Sequence, residues 1–367
     1  MDPIHDNSER PLADSLNSLA GLAEVRSRLR NTRVWLVGGA VRDLLLGAAR
    51  ADLDIAVEGS AASVAAALGA DVRAHERFGT ASVGFRGVRV DVASTRRETY
   101  AAPGALPDVV PASLDQDLTR RDFTVNAMAI PLFGEPRLID PYGGAGDLEA
   151  RLLRVLHDQS FEDDPTRALR AARYAARLGF ELEPRTAELL SGADLGSASA
   201  DRVDAELRRL LREDRAVDAV ALLAEWDLAG IDPGAVARVE ATRVLLDDPV
   251  WAGLVPRSSA LLDAVRTPDS PDPRPAPATA SAGAKLAAGT PALELLRERR
   301  AGAQWLDQWA REWRQVELEI DGADLIEAGV AEGPAIGRGL DAALAAKLDG
   351  ETGGRHDELR IALAAAS

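Results

Sequence analysis

The chain contains no cysteine. That absence excludes disulfide scaffolds, cysteine-based zinc sites and thiol catalysis together. Histidine is scarce: His5, His75, His157 and His356 stand too far apart to form ligand spacing. All but two of the 43 basic residues are arginine, the exceptions being Lys285 and Lys347. Arginine's planar fork suits bidentate contacts to phosphate and base edges, although a GC-rich genome gives the same bias. No apolar run is long enough to span a bilayer; the longest bland stretch, 61–70, is short and alanine-rich. The start Met1-Asp2-Pro3-Ile4-His5-Asp6 is polar and acidic, unlike a secretory signal. The chain therefore reads as soluble and cytoplasmic, with no membrane association.

What is present is 367 residues, a length for roughly two to four domains. The net charge of −16 argues against a nonspecific nucleic-acid coat protein but leaves room for a local basic groove. Leu12, Leu16, Leu19, Leu22, Val25 and Leu29 follow a polar lead-in and recur at helical steps. Val34–Val37 reads as a strand stopped by Gly38-Gly39, Ala40–Leu46 as a helix, Asp52–Val57 as a strand and Ser60–Leu68 as a helix. Ala81–Val92 alternates like a hairpin, with Gly84 and Gly87 as turn glycines. Thr124–Leu132 and Arg137–Ile139 add extended pieces, so the first ~140 residues form an α/β or α+β domain. From Leu148 strand signals vanish. Helical periodicity runs through Asp164–Leu178, Asp201–Arg212, Ala216–Trp226 and Pro233–Leu246, and resumes over Pro291–Leu318 to the end. Between them Thr267–Thr290, with five prolines from Pro268 to Pro277, reads as a linker or long loop.

The chemistry concentrates in four blocks. In the first, Gly38 and Gly39 close a strand and open a helix, where free N–H groups and the positive dipole end can seat a phosphate. Arg42 lies one helical turn further on and can add a charge-assisted contact. Asp52 and Asp54 leave the same face of the next strand, while Leu53, Ile55 and Val57 enter the core. Two carboxylates so close repel unless a cation sits between them. Mg²⁺ fits, because it takes hard oxygen ligands from one or two carboxylates and from substrate phosphates. Asp91, in Arg89-Val90-Asp91-Val92, is a candidate third carboxylate on a neighbouring strand. The second block is Asp117-Leu118-Thr119-Arg120-Arg121-Asp122-Phe123-Thr124-Val125-Asn126-Ala127-Met128-Ala129, whose polar residues stand just before an apolar strand. The third is the turn Asp140-Pro141-Tyr142-Gly143-Gly144. The fourth opens a helix with Pro165 in its first turn and Asp164 as its cap, then continues through Arg167, Arg170, Arg173 and Arg177.

Together the four blocks resemble the class II tRNA nucleotidyltransferases, a group of CCA-adding, CC-adding and A-adding enzymes and bacterial poly(A) polymerases. The resemblance covers residues ~30 to ~215, with a fainter match from Ile320 through Gly333-Pro334 and Gly337 to Gly350. It implies an α+β architecture: a DNA polymerase β-like head over 1–147 and a helical neck over 148–215 for base recognition. A helical body over 216–290, including the 267–290 linker, and a tRNA-binding tail over 291–367 would follow. By motif, Gly38, Gly39 and Arg42 would meet the nucleotide phosphates, Asp52 and Asp54 would bind Mg²⁺, and Asp91 would assist the primer 3′ hydroxyl. Arg121 would contact the nucleotide, Asp164 and Arg167 would read the base, and Arg170 and Arg173 would support the nucleotide pocket. At ~100° per residue Arg173 lies nearly opposite Asp164 on the helix. The family's Glu-Asp pair before the proline is Asp163-Asp164 here, one methylene shorter at its first position.

The implied base reading has a physical basis. An ionised aspartate only accepts hydrogen bonds and an arginine only donates. Cytosine and adenine each offer an amino donor beside a ring-nitrogen acceptor, whereas uracil and guanine place a carbonyl where Asp164 would then meet it. The implied activity is template-independent, Mg²⁺-dependent addition of C and/or A to tRNA 3′ ends from CTP and ATP, releasing pyrophosphate. CC-only addition, A-only addition, poly(A) polymerisation and a non-catalytic RNA-binding module remain alternatives. Thr95–Ser113 falls where a flexible loop separates full from partial family members. Arg202, Arg208, Arg209 and Arg212, and further on Arg297, Arg299 and Arg300, are candidate tRNA contacts. No protein partner is implied. The isolated His157-Asp158 pair reads as structural, because an HD phosphohydrolase site needs several histidines and aspartates together.

Overall fold

The computed structural model describes residues 12–29, 33–48, 52–69, 72–75, 79–85, 87–269 and 272–367. The polar lead-in before Leu12 and two positions of the expected linker, Ser270 and Pro271, lie outside the described residues. Contacts divide the chain into two units, Met1–Ala229 and Gly230–Ser367.

The first unit is built on a six-stranded sheet. Its strands are β1 (Val34–Val37), β2 (Asp52–Val57), β3 (Val72–His75), β4 (Thr80–Phe85), β5 (Val88–Ser94) and, after a separate hairpin, β8 (Ala129–Pro131). The hairpin pairs β6 (Arg96–Thr99) with β7 (Asp108–Pro111). Spatial order in the sheet is β3-β4-β5-β2-β1-β8. Only β2 and β5 run parallel, in the register that sets Asp54 opposite Asp91. Leu53, Ile55, Ala56 and Val57 are buried, while Asp52 is exposed and Asp54 half-buried, as period-two alternation requires at the start of β2. The helices α1 (Leu12–Asn17), α2 (Leu22–Arg28), α3 (Gly39–Leu45), α4 (Ala61–Leu68), α5 (Leu114–Thr119), α6 (Gly144–Ala150) and α7 (Ser160–Asp163) accompany the strands. Helices α8 (Thr166–Leu178), α9 (Pro184–Leu190), α10 (Ala200–Leu210) and α11 (Ala216–Glu225) complete the unit, with α10 and α11 packed on α8.

Several local expectations need correction. The leucine-rich N-terminal periodicity is split into α1 and α2 at Gly21, whose φ of 76° no ordinary helix residue adopts. Gly84 is a strand residue opposite Arg89; Gly87, at φ 82°, is the turn glycine. Of the 124–132 stretch, Thr124–Asn126 is a 3₁₀ turn and only Ala129–Pro131 is strand. Extended structure also continues beyond Leu148: Leu152–Leu153 pairs in parallel with Glu181–Leu182.

The second unit is helical in its regular structure: α12 (Gly234–Leu246), α13 (Pro249–Ala252), α14 (Arg257–Arg266), α15 (Ala280–Ala288), α16 (Ala292–Ala301), α17 (Trp305–Arg311), α18 (Gly322–Glu327), α19 (Pro334–Leu348) and α20 (Arg355–Ala366). Helix α15 corrects the linker reading of 267–290. The prolines end at Pro277, and the alanine-rich run after them has high helix propensity. Thr279 caps it through the Ala282 N–H at 3.2 Å. Gly283 lets it pack closely, since a Cβ there would sit 2.4 Å from the Trp313 ring. Asp349 at the end of α19 then accepts hydrogen bonds from the Ser281 N–H and hydroxyl at 2.8 and 2.6 Å.

Candidate active site

Strand β1 ends at Gly38, which turns the chain at φ 62° into α3. Its N–H donates to the Met128 carbonyl at 3.2 Å, so Gly38 makes the turn and is not a free phosphate donor. A Cβ on it would lie 2.6 Å from Arg121 Nη1. Gly39 likewise faces both Arg42 Nη2 and Asp54 Oδ2, each 3.5 Å from where its Cβ would be. Arg42 is 2 % exposed. Its guanidinium donates to Asp43 at 2.7–2.8 Å and to Asn126 Oδ1 at 2.5 Å, and lies over the Tyr174 ring. These partners hold a cation in place beside the glycine turn.

Parallel strands β2 and β5 bring the three aspartates to one sheet region. Burial, and next the charge of Asp91, push the Asp54 carboxyl up to about 6, against the pull of Arg121 and Arg42. Asp91 accepts from the Ser82 hydroxyl and from Arg89 Nε at 3.0 Å. Among the described residues no group of three or more His, Asp or Glu side chains is arranged to hold a metal unaided. A pair of carboxylates completed by substrate oxygens still suits Mg²⁺. The donor chemistry fits: all-oxygen ligands, and an ionised state of Asp54 that burial and Asp91 disfavour until a cation neutralises it.

On the opposite wall, α8 opens behind Pro165 and ends at Gly179 in the left-handed conformation. Asp164 Oδ1 accepts from the Thr166 N–H and hydroxyl, at 3.0 and 2.6 Å, and from Arg202 Nη2 at 2.8 Å. Arg167 is buried, donating to Ser160 Oγ at 2.5 Å and to the Arg120 carbonyl at 2.7 Å. Arg170 donates to Asp122 through Nε at 2.8 Å and Nη2 at 2.5 Å. Burial works to raise the Asp122 carboxyl, but Arg170 and the hydrogen bond from Asn126 overcome it and hold the group well below the usual carboxylate range. Arg121 donates to Asp117 Oδ2 at 3.0 Å and to the Asn126 carbonyl at 3.3 Å, and its Nε is buried without a partner.

These groups line one cleft of about 810 Å³. Of the expected site residues it holds Gly38, Gly39, Arg42, Asp52, Asp54, Asp91, Arg121, Asp164, Arg167 and Arg170. Arg173 is the correction: it does not line the cleft. The helical rotation from Asp164 carries it to the Tyr174 ring, 4.4 Å away, and to Glu213 at 3.3 Å. Tyr174 and Arg177 line the cleft instead, Arg177 through a 2.8 Å bond to the buried Asp43. The reading of the sequence also missed Asp122 and Asn126 as the hub joining Arg42 and Arg170; the polar pattern of the second block was the available signal. Asp163, the shortened position, faces His157 at 3.9 Å. Arg297, Arg299 and Arg300, candidate tRNA contacts, pair with Asp263, Asp307 and Asp269.

A mixed sheet with paired carboxylates beside a glycine turn, and a polar helix across the cleft, defines a nucleotidyltransferase head. Residues 34–154 match the family model described as the poly A polymerase head domain. The chain is 38 % identical over 330 residues to a CC-adding tRNA nucleotidyltransferase of Deinococcus radiodurans, covering 84 % of this chain and 83 % of that protein. It is 41 % identical over 225 residues to an A-adding tRNA nucleotidyltransferase of Halalkalibacterium halodurans, covering 57 % of this chain and 52 % of the relative. The chain spans about half or less of the length of the A-adding relatives it matches. A solved Thermotoga maritima CCA-adding enzyme complexed with tRNA superposes with a TM-score of 0.71 at 27 % identity, covering 98 % of this chain and 99 % of that one. The chain belongs to the class II tRNA nucleotidyltransferases.

Proposed function

We propose that this protein adds C and/or A nucleotides to tRNA 3′ ends without a nucleic-acid template, using CTP and ATP and releasing pyrophosphate. The observation that carries the reading is one cleft holding Asp52, Asp54 and Asp91 on one side and Asp164 and Arg167 on the other. Asp52 and Asp54 would hold Mg²⁺, which supplies positive charge at the triphosphate and lowers the pKa of an attacking hydroxyl. Asp91 would accept a hydrogen bond from the primer 3′ hydroxyl and orient it. Arg42, fixed by Asp43 and Asn126, and Arg121, which lines the cleft beside it, would bind phosphate oxygens. Such prealigned cations cost no reorganisation when charge develops on the leaving group.

Asp164 and Arg167 would select the base. The wrong base would set a carbonyl against the remaining Asp164 oxygen and leave that acceptor without a donor, at a cost of about 1–3 kcal/mol. Arg170 and Arg173 would act as supports, through Asp122 and Tyr174 respectively. The partition into head 1–147, neck 148–215, body 216–290 and tail 291–367 belongs to the same proposal, the tail carrying tRNA.

The test is incubation with tRNAs truncated at each 3′ position and single labelled nucleotides. Incorporation of CMP on tRNA lacking CCA, of AMP on tRNA ending in -CC, or of both, assigns partial or full addition. Long homopolymer tails on unrelated RNA would assign poly(A) polymerisation. No incorporation under any arm would leave only an RNA-binding role.

A further inference from the structure

Arg202, on the first turn of α10, has the signature of a surface arginine available to RNA. In the structure it is committed elsewhere. Its Nη1 donates to the Gly104 carbonyl at 2.6 Å and its Nη2 to Asp164 Oδ1 at 2.8 Å. The two ends of one planar fork therefore tie together the β6–β7 connection and the carboxylate at the mouth of α8. Gly104 is itself clamped. Its N–H donates to the Glu162 carbonyl at 3.0 Å, its φ is 67°, and a Cβ there would lie 2.4 Å from the Ser197 carbonyl oxygen.

The consequence falls on Asp164. Its Oδ1 already accepts two hydrogen bonds from Thr166, and Arg202 makes the third. Among the described residues none of these donors engages Oδ2. Three donors on one oxygen fix the χ angles of the carboxylate and reserve the other oxygen for a ligand in the cleft that Asp164 lines. The Thr166 contacts are local to the helix start and constrain the backbone side. Among the described residues only Arg202 donates to it from another helix, and so it sets the carboxylate's direction relative to the rest of the cleft.

We propose that Arg202 is a positioning residue for nucleotide selection: it orients Asp164 toward the base and is itself anchored by the Gly104 carbonyl. This inference rests on the base-reading role of Asp164 given above. Removing Arg202 frees the carboxylate to rotate, so it meets an amino donor and a carbonyl acceptor with less contrast, and discrimination falls. Correct nucleotides lose less, because a mobile aspartate can still turn to meet an amino group.

The test compares kcat/KM for CTP with UTP, and for ATP with GTP, on truncated tRNA with wild type, R202A, R202K, G104A and D164A, each checked by thermal melting. The expected result is a loss of discrimination of about 10-fold or more in R202A for whichever correct nucleotide the wild type uses. R202K, which keeps a donor but not the fork, should recover part of it. G104A, which forces the loop off Ser197, should shift selectivity the same way. KM for tRNA should stay within about twofold throughout. Discrimination unchanged in both R202A and R202K, while D164A loses it, overturns the proposal and leaves Asp164 as the reader. A raised KM for tRNA with selectivity intact also overturns it, making Arg202 an RNA contact. Discrimination unchanged in D164A overturns both readings together.

Discussion

At the scale of the residue, the site is a set of charges held where water alone would not favour them. Asp54 is the clearest case. Its folded carboxyl is raised to about 6 by burial and by Asp91, against an unfolded value near 3.9. A raised carboxyl costs nothing below the unfolded pKa, where it is protonated in both states. The cost grows as pH rises through the folded pKa and is complete above it. D54N should therefore stabilise the metal-free protein at pH 8 by about 1–3 kcal/mol while abolishing nucleotide incorporation. Melting with and without Mg²⁺ checks the cause: the ion should raise the wild-type midpoint and leave that of D54N nearly unmoved. Gly38 is a second residue with a sharp requirement, because its φ of 62° is left-handed and a Cβ on it would lie 2.6 Å from Arg121 Nη1. G38A should lower stability by about 1–2 kcal/mol, and should raise KM for the nucleotide because Arg121 is pushed from its place.

At the scale of the element, α8 works as a strut whose exposed-looking arginines are mostly consumed internally. Arg170 clips onto Asp122, Arg177 onto Asp43 and Arg167 onto the Arg120 carbonyl. Removing Asp122 leaves Arg170 with the longer 3.5 Å contact to Glu206, so D122A should cost about 2–3 kcal/mol. The pH dependence follows from the depressed Asp122 carboxyl. Its contribution is full above the unfolded value near 4 and is lost as pH falls below it toward the folded value. The stability gap between wild type and D122N, measured in urea at pH 7 and pH 3, should narrow at the lower pH. The same helix shows what a sequence can and cannot reveal. Strand β2 was legible to the residue, because Asp-Leu-Asp-Ile-Ala-Val alternates and ends in a buried apolar run. Helix α8 was legible from its proline start and glycine end. The ~100° rotation per residue also set Arg173 opposite Asp164; that Arg177 lines the cleft was not legible, because its partner Asp43 lies far away in sequence. The β6–β7 hairpin and α15 were missed for another reason: short elements flanked by glycine and proline are decided by contacts such as Gly104 with Ser197 and Gly283 with Trp313.

At the scale of the whole molecule, the proposed function asks how a chain of net charge −16 would recognise a polyanion. Counting arginines misleads, because so many of them are closed into ion pairs. Arg300 has a side chain only 1 % exposed, pairs with Asp269 and donates to Thr242 at 2.9 Å. Arg299 holds Asp307, which also accepts from the Trp251 indole at 3.0 Å. These are internal braces of the second unit. Among the described residues no ion pair engages Arg208 or Arg212, and Arg212 is exposed. Few phosphates would then be neutralised, and tRNA affinity should depend only shallowly on salt, since each neutralised phosphate adds roughly 0.7–0.9 to the log–log slope. R208A and R212A should each weaken tRNA binding uniformly and reduce that slope by up to about one. R300A supplies the contrast. It should lower stability by about 1–3 kcal/mol, because the buried Arg300 loses its packing and its bonds to the part-exposed Asp269 and to Thr242, and below its melting temperature it should leave the slope unchanged. Titrations at several salt concentrations, paired with melting curves, separate the two kinds of arginine. If R300A reduced the slope while R208A and R212A did not, tRNA would be held by the second unit's braced arginines and the shallow-slope argument would fail.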